Sequence, residues 1–366
     1  MTRRSAGEGL IRQRSNGTWE ARYVAADGRK RSLYAKTQRE ATDRLRGALG
    51  DAQHGLPVLD KRLTTGAYLI DWLEHEVKPN RRLATYRAYE QMVRIYLIPG
   101  LGRIPLAKLA PEHVQAMLAH IDANPPTLRY CRTVLRIALT RAERHGRALR
   151  NAAALVDAPE APRKVVESFT ATEARTLIEA LDGHDLVPLI LTALGTGARQ
   201  GELLALRWQD IDLDDATVRI RHTLQGDGTL APPKTEASIR DTTLPRFVVD
   251  ALRAHRREQL RQRLAAGPKW HDGDFVFARR DGRPLLPNGV RSRYAAVLKD
   301  AGLPHRPFHS LRHAFASLQH EGGEDMATIS KLLGHSSIST TMDIYAHLSP
   351  KTQRRAAERM DRVLTG

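Results

Sequence analysis

Phe308-His309-Ser310-Leu311-Arg312-His313 opens the segment on which the reading of this chain turns. Phe308, Leu311, Phe315 and Leu318 recur at helical spacing and define a buried stripe. His309 and Arg312, three apart, project together beside that stripe. Upstream, Gly195-Thr196-Gly197-Ala198-Arg199-Gln200-Gly201-Glu202 reads as a Gly-rich turn opening a helix, with Arg199 and Glu202 on one face. Pro233-Lys234-Thr235 falls in a turn between two expected strands. Downstream, Lys331-Leu332-Leu333-Gly334-His335 ends a helix at Gly334, and Tyr345 follows on the next helical stretch.

Taken singly, each of these residues has an ordinary reading. Arg199 and Glu202 would be an intrahelical ion pair, Lys234 a solvated turn lysine and His309 a helix cap. His335 would be a local group beside a capping glycine, and Tyr345 a packed aromatic. Jointly they are much harder to dismiss. The other common catalytic signatures are missing: there is no phosphate-loop lysine motif, no GxSxG and no HExxH. His309 and His313 are four apart, but no carboxylate follows at a zinc-protease spacing.

The chain has 366 residues, with 58 Lys+Arg against 41 Asp+Glu and a formal net charge of +17. The basic excess runs along the whole chain: 12 against 7 in residues 1–60, 16 against 9 in 61–160, and 30 against 25 in 161–366. Such a distribution suits contact with a polyanion over a long track. One cysteine, Cys131, excludes an internal disulfide framework and sits on an apolar helix face. No apolar run is long enough to span a membrane, and Met1-Thr2-Arg3-Arg4 leads into polar residues rather than a signal core. A soluble, cytoplasmic protein with no membrane partner is expected.

A multidomain layout emerges. In residues 1–57, Leu10–Arg14, Thr18–Val24 and Arg31–Tyr34 read as three strands, with Asn16-Gly17 as a hairpin turn. A helix follows from Thr37, expected to stop at Gly50. This is a small three-stranded β-sheet plus one helix, and a strand ribbon of this kind can enter a DNA groove. Residues 58–160 read as all-α. Their helices are expected before Pro79, before Pro99-Gly100, after Pro111 and around Leu128–Leu139. Residues 161–366 follow a Pro-containing linker and read as mixed α+β, mainly α, with Thr217–Arg221, Arg240–Leu244 and Phe275–Phe277 as strands. Arg12, Arg14, Arg22, Arg81, Arg82, Arg87, Arg132 and Arg136 are candidate DNA contacts, since phosphate recognition draws on guanidiniums.

With these motifs in hand, the last block resembles the catalytic domain of the tyrosine recombinases, in particular the phage and integrative-element integrases. The matching segments are Gly197-Ala198-Arg199-Gln200-Gly201-Glu202-Leu203, Pro233-Lys234-Thr235 through Arg240, His309-Ser310-Leu311-Arg312-His313, and Leu332-Leu333-Gly334-His335 through Tyr345-Ala346-His347. They occur in the family's order. Two departures are Ser310, where many members have Asp, and Asn151-Ala152, where a proline commonly follows the Asn. The resemblance implies an arm-type DNA-binding domain (1–57), a SAM-like core-binding domain (58–160) and a catalytic domain (161–366).

The resemblance also implies the roles. Tyr345 would attack a phosphodiester and leave a 3′-phosphotyrosine, so strand exchange needs no ATP. Arg199 and Arg312 would hold the nonbridging oxygens, as planar guanidinium forks are suited to do. Lys234 would protonate the departing 5′-oxygen, His309 would act on the tyrosine hydroxyl, and His335 would donate to a nonbridging oxygen. Glu202 would orient Arg199 or His309. No cofactor and no metal are implied. The partners implied are double-stranded DNA at core and arm sites and a homotetramer on DNA, with a host DNA-bending protein and a directionality factor as candidate accessories. Two other readings stay open: a non-catalytic regulator using 326–345 as a helix-turn-helix, and a type IB topoisomerase-like enzyme.

Overall fold

The computed structural model describes residues 9–25, 28–53, 59–158, 160, 168–233 and 236–334. The chain divides into two compact units, Met1–Arg163 and Lys164–Gly366.

The first unit begins with an antiparallel meander of β1 (Leu10–Gln13), β2 (Trp19–Val24) and β3 (Lys30–Ala35). Asn16-Gly17 makes the first turn: Gly17 takes φ +81°, and Asn16 Oδ1 accepts from the Thr18 N–H at 3.1 Å. The register sets Ala21 opposite both Ile11 and Leu33. These residues and Tyr23 therefore share the face that packs on Ala41 and Leu45 of α1 (Gln38–Gln53). Thr37 caps α1, its Oγ1 accepting from the Glu40 N–H at 3.2 Å. Gly50 does not end the helix, which runs through it to Gln53. A glycine inside a helix costs only about 1 kcal/mol relative to alanine, too little to stop it unless the backbone also turns left-handed.

The rest of the unit is helical, but two helices do not end where the prolines suggest. α2 (Thr65–Trp72) passes into a π turn, Leu73–Val77, and continues through Lys78–Asn80 with Pro79 inside. α3 (Leu83–Met92) repeats the device with Val93–Leu97 and then Ile98–Leu101, which carries Pro99. In each case the residue before the proline donates to the carbonyl five back, Lys78 to Leu73 and Ile98 to Val93. The wider turn relieves the clash between the proline ring and the carbonyl four back. α4 (Pro111–His120) and α5 (Pro125–Arg144) close this core, which includes Leu69, Trp72, Val93, Val114 and Leu135. Cys131 is fully buried there, and burial pushes its thiol up to about 12.

The second unit starts with α6 (Ala171–Ala180), fixed by a capping box between Thr170 and Glu173. α7 (Val187–Thr196) and the short α8 (Gln200–Leu204) follow. A small antiparallel sheet then forms in the order β4 (Ile211–Asp212), β5 (Thr217–Ile220), β8 (Arg240–Thr243). Between its last two strands lies a separate hairpin of β6 (Thr223–Leu224) and β7 (Leu230–Ala231). Four helices complete the described part: α9 (Arg246–Ala266), α10 (Pro287–Asp300), α11 (Ser310–Gly322) and α12 (Met326–Leu333). The expected strand at Phe275–Phe277 is absent. The segment is buried and pairs on both sides, but only through single contacts: an isolated bridge of Phe275 to Arg207, a bond from the Val276 N–H to Leu206 O at 2.9 Å, and a bond from the Leu285 N–H to Phe277 O at 3.0 Å beside a bridge of Ala278 to Pro284. Leu177, Ile190, Leu203, Val248, Leu252, Tyr294 and Leu311 form the core, and Phe315, Ile329 and Leu333 make a smaller cluster between α11 and α12. Among the described residues no helix is long and apolar enough to cross a membrane.

Candidate active site

α7 ends on Gly197, which takes φ +60° and donates to Ala193 O at 3.0 Å. This left-handed turn places Arg199 at the N-cap of α8. The Arg199 N–H donates to Glu202 Oε2 at 2.9 Å, and Arg199 Nη1 donates to Glu202 Oε1 at 2.7 Å. The Glu202 side chain is 3% exposed and that of Arg199 is 37% exposed. A sealed carboxylate thus holds a guanidinium that remains open to solvent.

Glu202 holds a second guanidinium as well. Arg240, the first residue of β8, donates from Nη2 to Glu202 Oε2 at 3.2 Å and from Nη1 to Ser238 O at 3.0 Å. Ser238 Oγ in turn accepts from Arg199 Nη1 at 3.1 Å. Burial would raise the Glu202 carboxyl, but the Arg240 charge and then the Arg199 N–H and guanidinium outweigh it and hold the carboxyl below its usual range.

Arg312 is almost fully buried. Its Nη1 donates to Gly197 O at 2.9 Å and its Nη2 to Leu333 O at 2.7 Å. Gly197 caps α7, and Leu333 is the last residue of α12, closed by Gly334 at φ +66°. One cation therefore serves the carboxyl ends of two helices, where the carbonyl dipoles favour positive charge. It ties the turn before Arg199 to the turn before His335. His309 occupies the N-cap position of α11, but its side chain makes no capping bond, which sets aside the reading of it as a cap. Its ring lies 4.9 Å from that of His313 at 88°. Burial, and then the Arg312 charge, push the His313 imidazole below its usual range.

The fold thus gathers Arg199, Glu202 and Arg312 around one turn and sets His309 at the head of the helix that carries Arg312. Lys234, His335 and Tyr345 lie outside the described residues, as does most of the segment read as the second half of a helix-turn-helix. Sequence reasoning did not give Ser238 and Arg240 a role. The available signal was the alternation that puts Arg240 on the same strand face as the buried Thr242 and Leu244.

The candidate DNA contacts fall into two groups. On the face of the sheet away from α1, Arg12 and Arg22 both bond Glu20, at 2.7 and 2.9 Å, and Arg14 lies 5.6 Å over the Tyr34 ring. In the helical part, Arg81, Arg82, Arg87 and Arg136 are exposed. Arg132 instead straps the chain, its Nε donating to Val156 O at 2.6 Å. A cleft of about 490 Å³ joins Arg81 and Arg136 to Arg141, Arg144 and the stacked Trp72–Tyr89 pair. Guanidiniums beside aromatic faces suit nucleic-acid contact. Arg144 was legible as the residue eight after Arg136 on one helix face, and the sequence reading passed over it.

The model of the phage integrase family matches residues 167–352, and that of the phage integrase N-terminal SAM-like domain matches residues 64–121. The chain belongs to the phage integrase family of tyrosine recombinases. This recombinase is 29% identical to a tyrosine recombinase XerC-like protein of Caldanaerobacter subterraneus subsp. tengcongensis, over 91% of each chain. It is 30% identical to an integrase of Streptomyces ambofaciens, over 85% of this chain and 83% of that one. Among solved structures, the Tn1549 transposon integrase in complex with transposon right end DNA superposes with a TM-score of 0.71 at 21% identity, over 81% of the recombinase and 99% of that chain. A lambda integrase dimer bound to a COC' core site superposes with a TM-score of 0.60 at 20% identity, over 95% and 98%. These likenesses bear on the fold: a three-stranded N-terminal sheet, a helical region and a mixed catalytic domain.

Proposed function

We propose that the recombinase cleaves and rejoins DNA at specific sites through a 3′-phosphotyrosine on Tyr345, without ATP, in the integration or excision of a mobile element. The observation that carries this reading is the Arg312 bridge between the turn before Arg199 and the turn before His335. In this reading the guanidiniums of Arg199 and Arg312, far apart in sequence, serve one phosphate, whose oxygens gain charge on attack. Tyr345 attacks phosphorus, its hydroxyl proton passing toward His309, and the P–O5′ bond breaks. Lys234 gives the 5′-oxygen its proton, and His335 donates to a nonbridging oxygen. Rejoining reverses these steps, with the phenolate leaving. A phenol of pKa about 10 is a usable leaving group, so the bond energy is kept in the adduct.

In this reading residues 1–57 bind arm sites, 58–160 clasp the core site and 161–366 carry the chemistry. Arg12, Arg14 and Arg22 face one DNA segment, and Arg81, Arg82, Arg87 and Arg136 another. Four protomers assemble on two duplexes; a lambda integrase of similar fold is seen as a tetramer bound to a Holliday junction.

The test compares wild type with Tyr345→Phe on nicked duplexes from the chromosomal DNA flanking the gene. Wild type should give a denaturation-resistant, protease-sensitive adduct whose position maps the crossover. Tyr345→Phe should bind with equal affinity in a gel shift and give none. An adduct with the variant would overturn the nucleophile assignment.

A further inference from the structure

Arg240 is a buried cation that the proposed chemistry does not use. Its side chain is 8% exposed, and its Nε is buried with no hydrogen-bond partner among the described residues. Burial pushes the guanidinium down, and the Glu202 carboxylate pulls the other way. A buried ion pair with an unsatisfied donor is a poor stability device, because an apolar side chain of similar volume would serve the core as well. What Arg240 does provide is geometry. Pairing of β5 with β8 fixes its backbone, with Ile220 opposite Arg240. From there its two Nη groups reach Glu202 Oε2 and Ser238 O, while Ser238 Oγ and Glu202 Oε1 both receive Arg199 Nη1. The same segment meets the turn at Gly334. A Cβ on Gly334 would lie 2.7 Å from Ala237 O and 3.1 Å from Arg240 Nη1, so this approach requires glycine.

We propose that Arg240, together with Ser238, is a positioning residue that locks the Arg199 guanidinium toward the scissile phosphate and holds the turn at Gly334 in register with it. The proposal rests on the reading of Arg199 as a phosphate ligand. Arg240 does not touch the phosphate. It fixes Glu202 on one side, so that Glu202 and Ser238 present two acceptors to a single Nη of Arg199. A lysine in its place would keep the charge and lose the fork.

The experiment uses the full-length protein and the nicked duplex spanning the mapped crossover, in two forms. One carries the natural phosphodiester, and the other carries a methylphosphonate at the cleaved position, which removes the negative charge that Arg199 would meet. On the diester, Arg240→Gln and Arg240→Lys should form adduct about a hundredfold more slowly than wild type, the scale of a small displacement of a reacting group. Ser238→Ala should slow it less. On the methylphosphonate the same variants should fall within about threefold of wild type, because the guanidinium they misplace is no longer needed. Equal slowing on both substrates would reduce Arg240 to structural support and overturn the proposal, as would unchanged rates on the diester. Arg199→Ala is the control: if it cleaves the diester at the wild-type rate, the phosphate-ligand reading itself fails. Should Arg240→Gln fold poorly, as judged by its thermal melt, Arg240→Lys and Ser238→Ala carry the comparison.

Discussion

Arg312 donates to the carbonyl of Gly197 at 2.9 Å across 115 residues of sequence, from inside the core of the second unit. With its second bond, to Leu333 O, it closes two helix ends at once. Removing the side chain leaves two buried acceptors without this donor. Each orphaned acceptor costs about 1–3 kcal/mol, so Arg312→Ala should lose about 2–6 kcal/mol of stability. Arg312→Lys should recover part of that, since an ammonium reaches one carbonyl more readily than two. Urea denaturation followed by circular dichroism reads both, and a loss below about 0.5 kcal/mol for Arg312→Ala would contradict the bridge.

Gly197 and Gly183 make a matched pair for testing the turn. Both are left-handed, at φ +60° and +70°. A Cβ on Gly197 would lie 2.6 Å from Phe315 Cδ1 and 2.8 Å from Leu333 Cδ2, whereas one on Gly183 would meet nothing within 4 Å. Gly183→Ala should cost only the backbone strain, about 1–2 kcal/mol. Gly197→Ala should cost that plus overpacking, about 3–4 kcal/mol in all, and should slow adduct formation because Arg199 follows two residues later. Equal melting temperatures for the two variants would refute the account.

The sheet carries its own pH signature. Hydrogen bonds from Arg22 and Arg12, helped by Ser32, bring the Glu20 carboxyl down to about 2, against a usual 4.5. A depressed carboxyl contributes stability that is fully present above pH 4.5 and is lost as pH falls toward 2. Carboxyl carbon NMR should find Glu20 still ionised at about pH 3. Glu20→Gln should remove that part of the acid dependence. Titration of Glu20 near its usual value would show that the two arginines do not hold it.

Lys234 is open to a chemical test. Lys234→Ala should slow cleavage of the natural diester by about 10²–10⁴-fold, the range for loss of a general acid. A 5′-bridging phosphorothiolate leaves as a thiolate and needs little protonation, so the variant should regain near wild-type rates on it. Absence of rescue would remove Lys234 as the acid.

Local chemistry explains what the sequence made legible. Asn16-Gly17 announces its hairpin because few other pairs take that turn, and Thr37 announces its cap. Arg199, Glu202, His309 and Arg312 stood out through motif spacing. The structure adds what spacing does not encode. Two prolines sit inside helices because a π turn precedes each, and nothing in residues 73–77 or 93–97 signals that widening. Phe275–Phe277 has the composition of a strand, but its neighbours meet it at single residues and no continuous ladder forms. The bond of Arg240 to Glu202 spans 38 residues and depends on strand register, which one sequence leaves open.

The sealed thiol of Cys131 has a practical side. It is the protein's one cysteine, and it offers surface reagents nothing to attack while the helical core stays closed. The wild-type chain therefore behaves as a cysteine-free background. A cysteine introduced at exposed Ser292 of α10, paired with a second on the sheet, would be the sole attachment points for a donor and acceptor dye. Their separation would report, in solution and without further engineering, the distance between the two units with and without DNA.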